Sequence, residues 1–224
     1  MSLVPLGSLA KRFGVKAVCY GPAGGGKTPV LCTAPRPVIL VTEPGMLSVR
    51  EVMNVPAWDA INNPKQIVDF FKWLNSSAEA KGFDTVGMDS LSQMAELILR
   101  EELGRNKDGR KAYGEMSRRV MEHMENLFYM PQKHTFLIAK QQIIEVGEGK
   151  FKQPYFPGQD LGVKIPHLFD EFWQLDTHRV PGQAQPVKAL LTRQRFDTMA
   201  RDRSGNLDEY EQPDLTNVFK KAMQ

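Results

Sequence analysis

Apolar and polar positions repeat along this chain with two different periods. Val15-Lys-Ala-Val-Cys-Tyr20 is a short β-branched run that ends at a cluster of glycines, and Pro37-Val-Ile-Leu-Val-Thr42 is almost wholly apolar. An unbroken apolar run of that length suits a strand buried on both faces of a parallel sheet. Residues 83–89 and 135–139 have the same texture. Helical spacing lies between these runs. Ile67, Phe70, Phe71 and Leu74 share a face after Pro64, a residue suited to a helix start. Leu91, Met94, Ala95 and Ile98 repeat the pattern behind Ser90 and Gln93, which are spaced as a capping box. A third stripe of Met116, Val120, Met124, Leu127 and Phe128 ends at Pro131. All three stripes read as core faces.

From about residue 141 the texture changes. Residues 142–146 lead into a polar segment, 147–158, rich in Gly, Pro and aromatics, and shorter strand candidates follow at 169–176, 187–192 and 195–200. Strands alternating with helices, then hairpin-like strands, predict an α/β fold. A mostly parallel sheet would be flanked by helices and carry a C-terminal antiparallel extension. No internal repeat is visible, so residues 1–224 read as a single domain, with a core at about 13–142 and the strand extension at about 143–224.

Composition narrows the class. Of 224 residues, 42% are hydrophobic and 25% charged, which excludes disorder throughout. No window approaches ~18 consecutive apolar residues, and the start lacks the basic region and long apolar run of a signal peptide, so no membrane partner is expected. Two cysteines, Cys19 and Cys32, cannot form a disulfide framework, and a cytoplasmic location follows as an expectation. His123, His134, His167 and His178 have no metal-ligand spacing. A net charge of +3 means that a polyanion would be held by a local patch, not by bulk charge.

The chemistry concentrates at the glycine cluster. Gly21-Pro22-Ala23-Gly24-Gly25-Gly26-Lys27-Thr28 matches G-x-x-x-x-G-K-[ST] and follows a predicted strand. Glycines let backbone N–H groups turn inward around phosphate oxygens, and the following helix start adds positive potential. Lys27 can reach the β- and γ-phosphates of ATP, and the Thr28 hydroxyl can ligate Mg²⁺. A second acid on the Mg²⁺ side is needed at the end of a neighbouring strand, where Asp89 stands; helix capping is its other reading, and Ser90 competes for that. Glu43, at the end of residues 37–42, can converge on the same crevice, because the C-terminal ends of parallel strands line it.

Two segments could meet a nucleic acid. Residues 100–119 hold seven basic side chains, with Arg105, Lys107, Arg110 and Lys111 in a central stretch that reads as a loop between helices. In Lys150-Phe151-Lys152-Gln-Pro-Tyr-Phe156, charge that neutralises phosphates interleaves with rings that can stack on bases.

Taken in order, residues 21–28, Glu43-Pro-Gly45, Met88-Asp-Ser90, Ala139-Lys-Gln-Gln142 and Ala200-Arg-Asp-Arg203 resemble the small phage-encoded RecA-like P-loop ATPases. Those phage nucleotide-binding proteins are associated with single-strand annealing and recombination. The resemblance implies a RecA-like core, Glu43 as the residue that activates water, and a polar γ-phosphate sensor at Gln141, with Lys140 and Gln142 as the alternatives. Arg201 and Arg203 would be basic fingers reaching the nucleotide of a neighbouring copy. DNA would be held by the two loops that follow the Asp89 strand and the sensor strand. Pro29 stands where relatives often have a second Ser or Thr, and no His lies beside Ala139. The expected function is an ATP-dependent, single-stranded-DNA-binding recombination ATPase that assembles as a ring or filament in the host cytoplasm. A single-strand-binding protein is a further expected partner. The alternatives are a small-molecule phosphotransferase closing a lid of Arg193, Arg195, Arg201 and Arg203, and a nucleotide-gated scaffold with negligible turnover.

Overall fold

A computed structural model describes residues 3–10 and 12–224. In chain order the elements are α1 (Leu6–Ala10), β1 (Lys16–Gly21), α2 (Lys27–Leu31), β2 (Pro37–Val41), β3 (Ala57–Asp59), α3 (Pro64–Ser76), β4 (Thr85–Asp89) and α4 (Leu91–Arg105). There follow α5 (Gly109–Tyr129), β5 (His134–Val146), β6 (Gly149–Tyr155), α6 (Asp160–Leu168), β7 (Glu171–His178), β8 (Val187–Leu191), β9 (Tyr210–Glu211) and α7 (Leu215–Ala222). The strands form one sheet in the order β3-β2-β4-β5-β1-β7-β8-β9, with β6 hydrogen-bonded to β5. From β3 to β7 all neighbours are parallel, whereas β6, β8 and β9 pair antiparallel. The fold is therefore the expected α/β core, a mostly parallel sheet flanked by helices, with antiparallel strands added in its C-terminal part.

The sheet has a core on each face because strand side chains alternate sides. Val18, Tyr20, Val38, Leu40, Val86, Met88, Leu137 and Ala139 pack against α3, α4, α5 and α6. Ala17, Cys19, Ile39, Val41, Phe136, Ile138, Trp173 and Leu175 face α2 and α7. β1, β2 and β5 supply both sets, which explains why those strands read as continuous apolar runs. The amphipathic stripes of α3, α4 and α5 cover the first face as expected, and Ser90 caps α4 by accepting the Gln93 N–H at 3.2 Å.

Four expectations change. β5 runs unbroken from His134 to Val146, across the expected core boundary at 142, so the extension grows out of a core strand. The polar segment after it is a hairpin arm, with Lys152 opposite Ile143. Residues 195–200 form no strand, only isolated bridges of Thr198 to Arg195 and to Lys152. The presumed loop around Gly104 shrinks to residues 106–108, because Asp108 caps α5 by accepting the Arg110 N–H at 2.9 Å and starts the helix early.

Candidate nucleotide-binding site

The glycine loop leaves β1 in the middle of the sheet, where backbone approaches backbone. A Cβ on Gly21 would lie 2.2 Å from the Leu175 carbonyl oxygen on β7, so only glycine fits. Gly26 has φ 89°, a left-handed conformation that caps the start of α2, and a Cβ there would lie 2.9 Å from the Lys188 Nζ. Above the loop opens a cavity of ≈530 Å³ at the C-terminal ends of the parallel strands. Residues 21 and 23–29 line it together with Glu43, Met46, Asp89 and Gln141. Its size suits a nucleotide.

Inside it, Lys27 has no ion-paired carboxylate among the described residues. Its ammonium donates to the carbonyls of Gly21 and Pro22, both at 2.9 Å, and burial lowers its pKa. The Thr28 hydroxyl donates to the Asp89 Oδ2 at 2.6 Å across the gap between α2 and β4. Asp89 is buried, which raises its pKa; the Thr28 bond pulls it down, and nearby Glu43 pushes it up. The capping role falls to Ser90, leaving the Asp89 carboxylate to the site. Among the described residues no three His, Cys, Asp or Glu side chains cluster as a metal site. A divalent cation here would take a hydroxyl and a carboxylate from the protein and the rest of its shell from phosphate oxygens and water, which is how Mg²⁺ is usually held. The donor set fits Mg²⁺ with a nucleoside triphosphate.

The end of β5 separates the three sensor candidates. Lys140 donates to Gln93 and Glu96, both at 2.8 Å, and Gln142 to the Pro154 carbonyl at 3.4 Å. Gln141 accepts from Gln174 at 3.1 Å through its oxygen, which leaves its amide N–H groups without a partner among the described residues. Of the three, Gln141 best matches a group that donates to a phosphate. The buried Gln174 also donates to Asp176 at 3.3 Å, and Asp176 lies 3.9 Å from the Lys152 ammonium on the hairpin.

Arg201 and Arg203, the finger candidates, are both engaged within the chain. Arg201 donates to the carbonyls of Pro166 (2.6 Å), Asp170 (3.3 Å) and Phe169, and lies over the Phe172 ring, 5.0 Å from its centroid. It caps the C-terminus of α6, a favourable place for a cation, and does not reach outward. Arg203 pairs with Asp170 at 3.0 Å. Both stand towards the end of the sheet opposite the glycine loop, since Arg201 bridges to Phe172, which is in register with Val18. The other two arginines of the alternative lid are engaged as well. Arg193 bonds the Leu207 carbonyl and Arg195 pairs with Glu209, so all four arginines are engaged within the chain.

The basic segment splits into two groups. Arg105 pairs with Glu101 and Glu102, Arg118 with Glu115 and Glu122, and Arg119 with Glu101 and Glu102. Lys107, Arg110 and Lys111 are exposed, and their side chains have no ion pair among the described residues. They surround the start of α5, where Arg110 and Tyr113 form one wall of a ≈630 Å³ groove and Pro157, Gly158, Gln159 and Asp160 the other. In the hairpin, Lys150 is exposed and Phe151 half-buried.

Sequence reasoning missed Lys188, Gln174 and Asp176. No local pattern marks them, since their places depend on which strands lie beside β1.

Fold, loop and carboxylates together define a P-loop nucleotide-binding domain. The family model described as "AAA domain" matches residues 14–204, and the chain belongs to that family of P-loop ATPases. No curated protein matches it in sequence. Among solved structures it is similar to a KaiC-like protein of the hyperthermophilic archaeon Pyrococcus horikoshii OT3, with 15% identity, 80% of this chain and 78% of that one covered, and a TM-score of 0.43. It is also similar to an ATPase from the type III secretion system of pathogenic bacteria, with 14% identity and a TM-score of 0.48. That match covers 73% of this chain and 52% of the other.

Proposed function

We propose that this ATPase binds single-stranded DNA in an ATP-dependent manner and acts in strand annealing or recombination, as its resemblance to the phage proteins suggests. Lys27 and the loop N–H groups bind the phosphates, Thr28 and Asp89 hold Mg²⁺, and Glu43 orients and deprotonates the attacking water. Bound Mg²⁺ supplies charge neutralisation on the phosphates. Gln141 reports the γ-phosphate. A homo-oligomer forms on the strand without Arg201 in the neighbour's site.

The observation that carries the DNA reading is the sorting of the basic segment. Its paired arginines stabilise α4 and α5, whereas Lys107, Arg110 and Lys111 have no acidic partner among the described residues, and Arg110 borders a groove with the ring of Tyr113. Unpaired charge beside a ring is what a single strand needs.

The test is fluorescence anisotropy of a labelled single-stranded oligonucleotide with Mg²⁺ and a non-hydrolysable ATP analogue at low salt. Binding is expected for the wild type. A Lys107→Ala/Arg110→Ala/Lys111→Ala protein should bind at least about tenfold more weakly. It should also flatten the log–log salt dependence by roughly 2, at about 0.7 per lost phosphate contact. No binding by the wild type overturns the DNA reading. A Glu43→Gln protein with wild-type turnover would remove Glu43 from catalysis and leave the rest standing.

A further inference from the structure

We infer that Lys188 is a second phosphate-binding lysine, held in the same chain as the glycine loop and placed on the α-phosphate side of the bound nucleotide. This rests on the nucleotide reading above.

Lys188 lies on β8, opposite Thr177 of β7, at the end of the sheet where the glycine loop leaves β1. Its stem lies along Gly26: a Cβ built there would be 2.9 Å from Nζ, 3.8 Å from Cε and 3.9 Å from Cδ. The side chain is exposed, and no ion pair or side-chain hydrogen bond involves it among the described residues. The nearest acid along β7, Asp176, is engaged by Gln174 and Lys152. An extended ammonium therefore rests on the phosphate cradle without an anion of its own.

Its side of the cradle follows from strand order. Glu43 and Asp89 stand at the ends of β2 and β4, on one side of β1, with β5 between. A γ-phosphate that reacts must point towards them. β7 and β8 lie on the other side of β1, so Lys188 meets the part of the nucleotide farther from the reacting bond. Lys27 and Lys188 thus divide the polyphosphate, one towards the reacting end and one towards the nucleoside.

The division predicts a particular kinetic signature. ATP and ADP share their α- and β-phosphates, so losing Lys188 should weaken both alike and leave turnover at saturation nearly unchanged. A charge-assisted hydrogen bond to phosphate corresponds to roughly tenfold or more in affinity. The experiment measures Kd for ATP and ADP by titration calorimetry, with kcat and KM for ATP, in wild type, Lys188→Gln and Lys188→Arg. The expected result is a parallel rise of about tenfold in both Kd values for Lys188→Gln. The rise in KM should match it, with kcat within about twofold, and Lys188→Arg should restore most of the affinity. Unchanged Kd values in Lys188→Gln overturn the inference while the nucleotide reading stands. A loss confined to ATP with a collapse of kcat overturns the α-phosphate placement. A wild type that binds neither nucleotide overturns the reading beneath it as well.

Discussion

The two ends of the parallel sheet carry similar residues in opposite electrostatic states. At the lower end, Lys16 is buried between β1 and the end of α5, donating to the carbonyls of Leu127 (2.8 Å), Met130 (3.1 Å) and Lys133 (2.9 Å). Arg201 does the same for α6. Each cation sits at a helix C-terminus, where the partial charge is negative, so the fold itself supplies the counter-charge. At the upper end, Lys27 and Lys188 stand beside a glycine loop whose inward N–H groups are themselves positive, and neither lysine has an ion-paired carboxylate among the described residues. Matched charge marks architecture; concentrated unmatched charge of one sign marks a place for an anion. Without that distinction the arginines of residues 200–203 look as functional as the glycine loop.

The comparison breaks most sharply on one cation from each end, Lys27 and Arg201. Lys27→Ala should lower ATP turnover by about two to three orders of magnitude, because a cation aimed at developing phosphate charge is lost. Its melting temperature should hardly move, since Lys27 bonds only carbonyls of its own loop. Steady-state ADP release beside a thermal melt checks both halves. Arg201→Ala should do the reverse. Removing it leaves the carbonyls of Pro166 and Phe169 unsatisfied and strips a cation from the Phe172 ring, at a cost of roughly 2–4 kcal/mol in denaturant titration. Turnover per folded molecule should stay within about twofold at any protein concentration. If Arg201→Ala instead abolished turnover with stability intact, the finger would be restored and the comparison would fail.

The upper end was legible in the sequence because its chemistry is local. Residues 21–28 form one continuous loop, and Glu43 and Asp89 follow apolar runs that mark parallel strands, so their convergence follows from topology alone. The lower end was not legible, because the partners of Arg201 lie 31 to 35 residues away, in the last turn of α6 and just beyond it, and a nine-residue helix containing Pro166 is not marked by the apolar spacing that revealed α3, α4 and α5. Lys188 escaped notice for a related reason: Val-Lys-Ala-Leu-Leu is an ordinary strand until β8 is paired with β7 beside β1. The α4–α5 turn lies between. Its basic residues were visible, but which of them are free depended on Glu101, Glu102, Glu115 and Glu122 folding back as ion-pair partners.

Protons sharpen the comparison at the next scale down. Glu171 is buried, which raises its pKa from the ordinary 4.5 to about 7 although Trp173, Arg203 and Ser204 all donate to it. The folded state therefore holds more protons than the unfolded between those values, so stability falls as pH rises from 4.5 to about 7 and is level above. The fall is worth at most roughly 3 kcal/mol. Burial lowers Lys16 to about 7, and its window is opposite: the unfolded state holds the extra proton, so stability rises from about pH 7 towards 10.5. His123 and His134, each lowered by burial to about 4, make stability rise with pH over much of the same acid range, so the Glu171 limb is read as the difference between wild type and Glu171→Gln in urea titrations across pH 4–7. A wild-type minus Glu171→Gln difference that stays constant from pH 4.5 to 7 would mean that the Glu171 cage compensates fully for its burial.

The smallest effect falls on the residue that separates the two ends least clearly. Arg203 pairs with Asp170 at 3.0 Å, and both side chains are 40–45% exposed, so the pair is screened by water. Arg203→Ala should therefore cost less than about 1 kcal/mol of stability, and that cost should shrink further in high salt. Unlike Arg201, the Arg203 guanidinium bonds no backbone carbonyl and caps no helix, so it alone of the two could turn outward to a neighbouring copy. Turnover measured against protein concentration decides its role. A deficit in Arg203→Ala that appears only where the wild type assembles would assign Arg203 to the neighbour's nucleotide. An unchanged rate at every concentration would place it, with Arg201, among the charges matched within the chain.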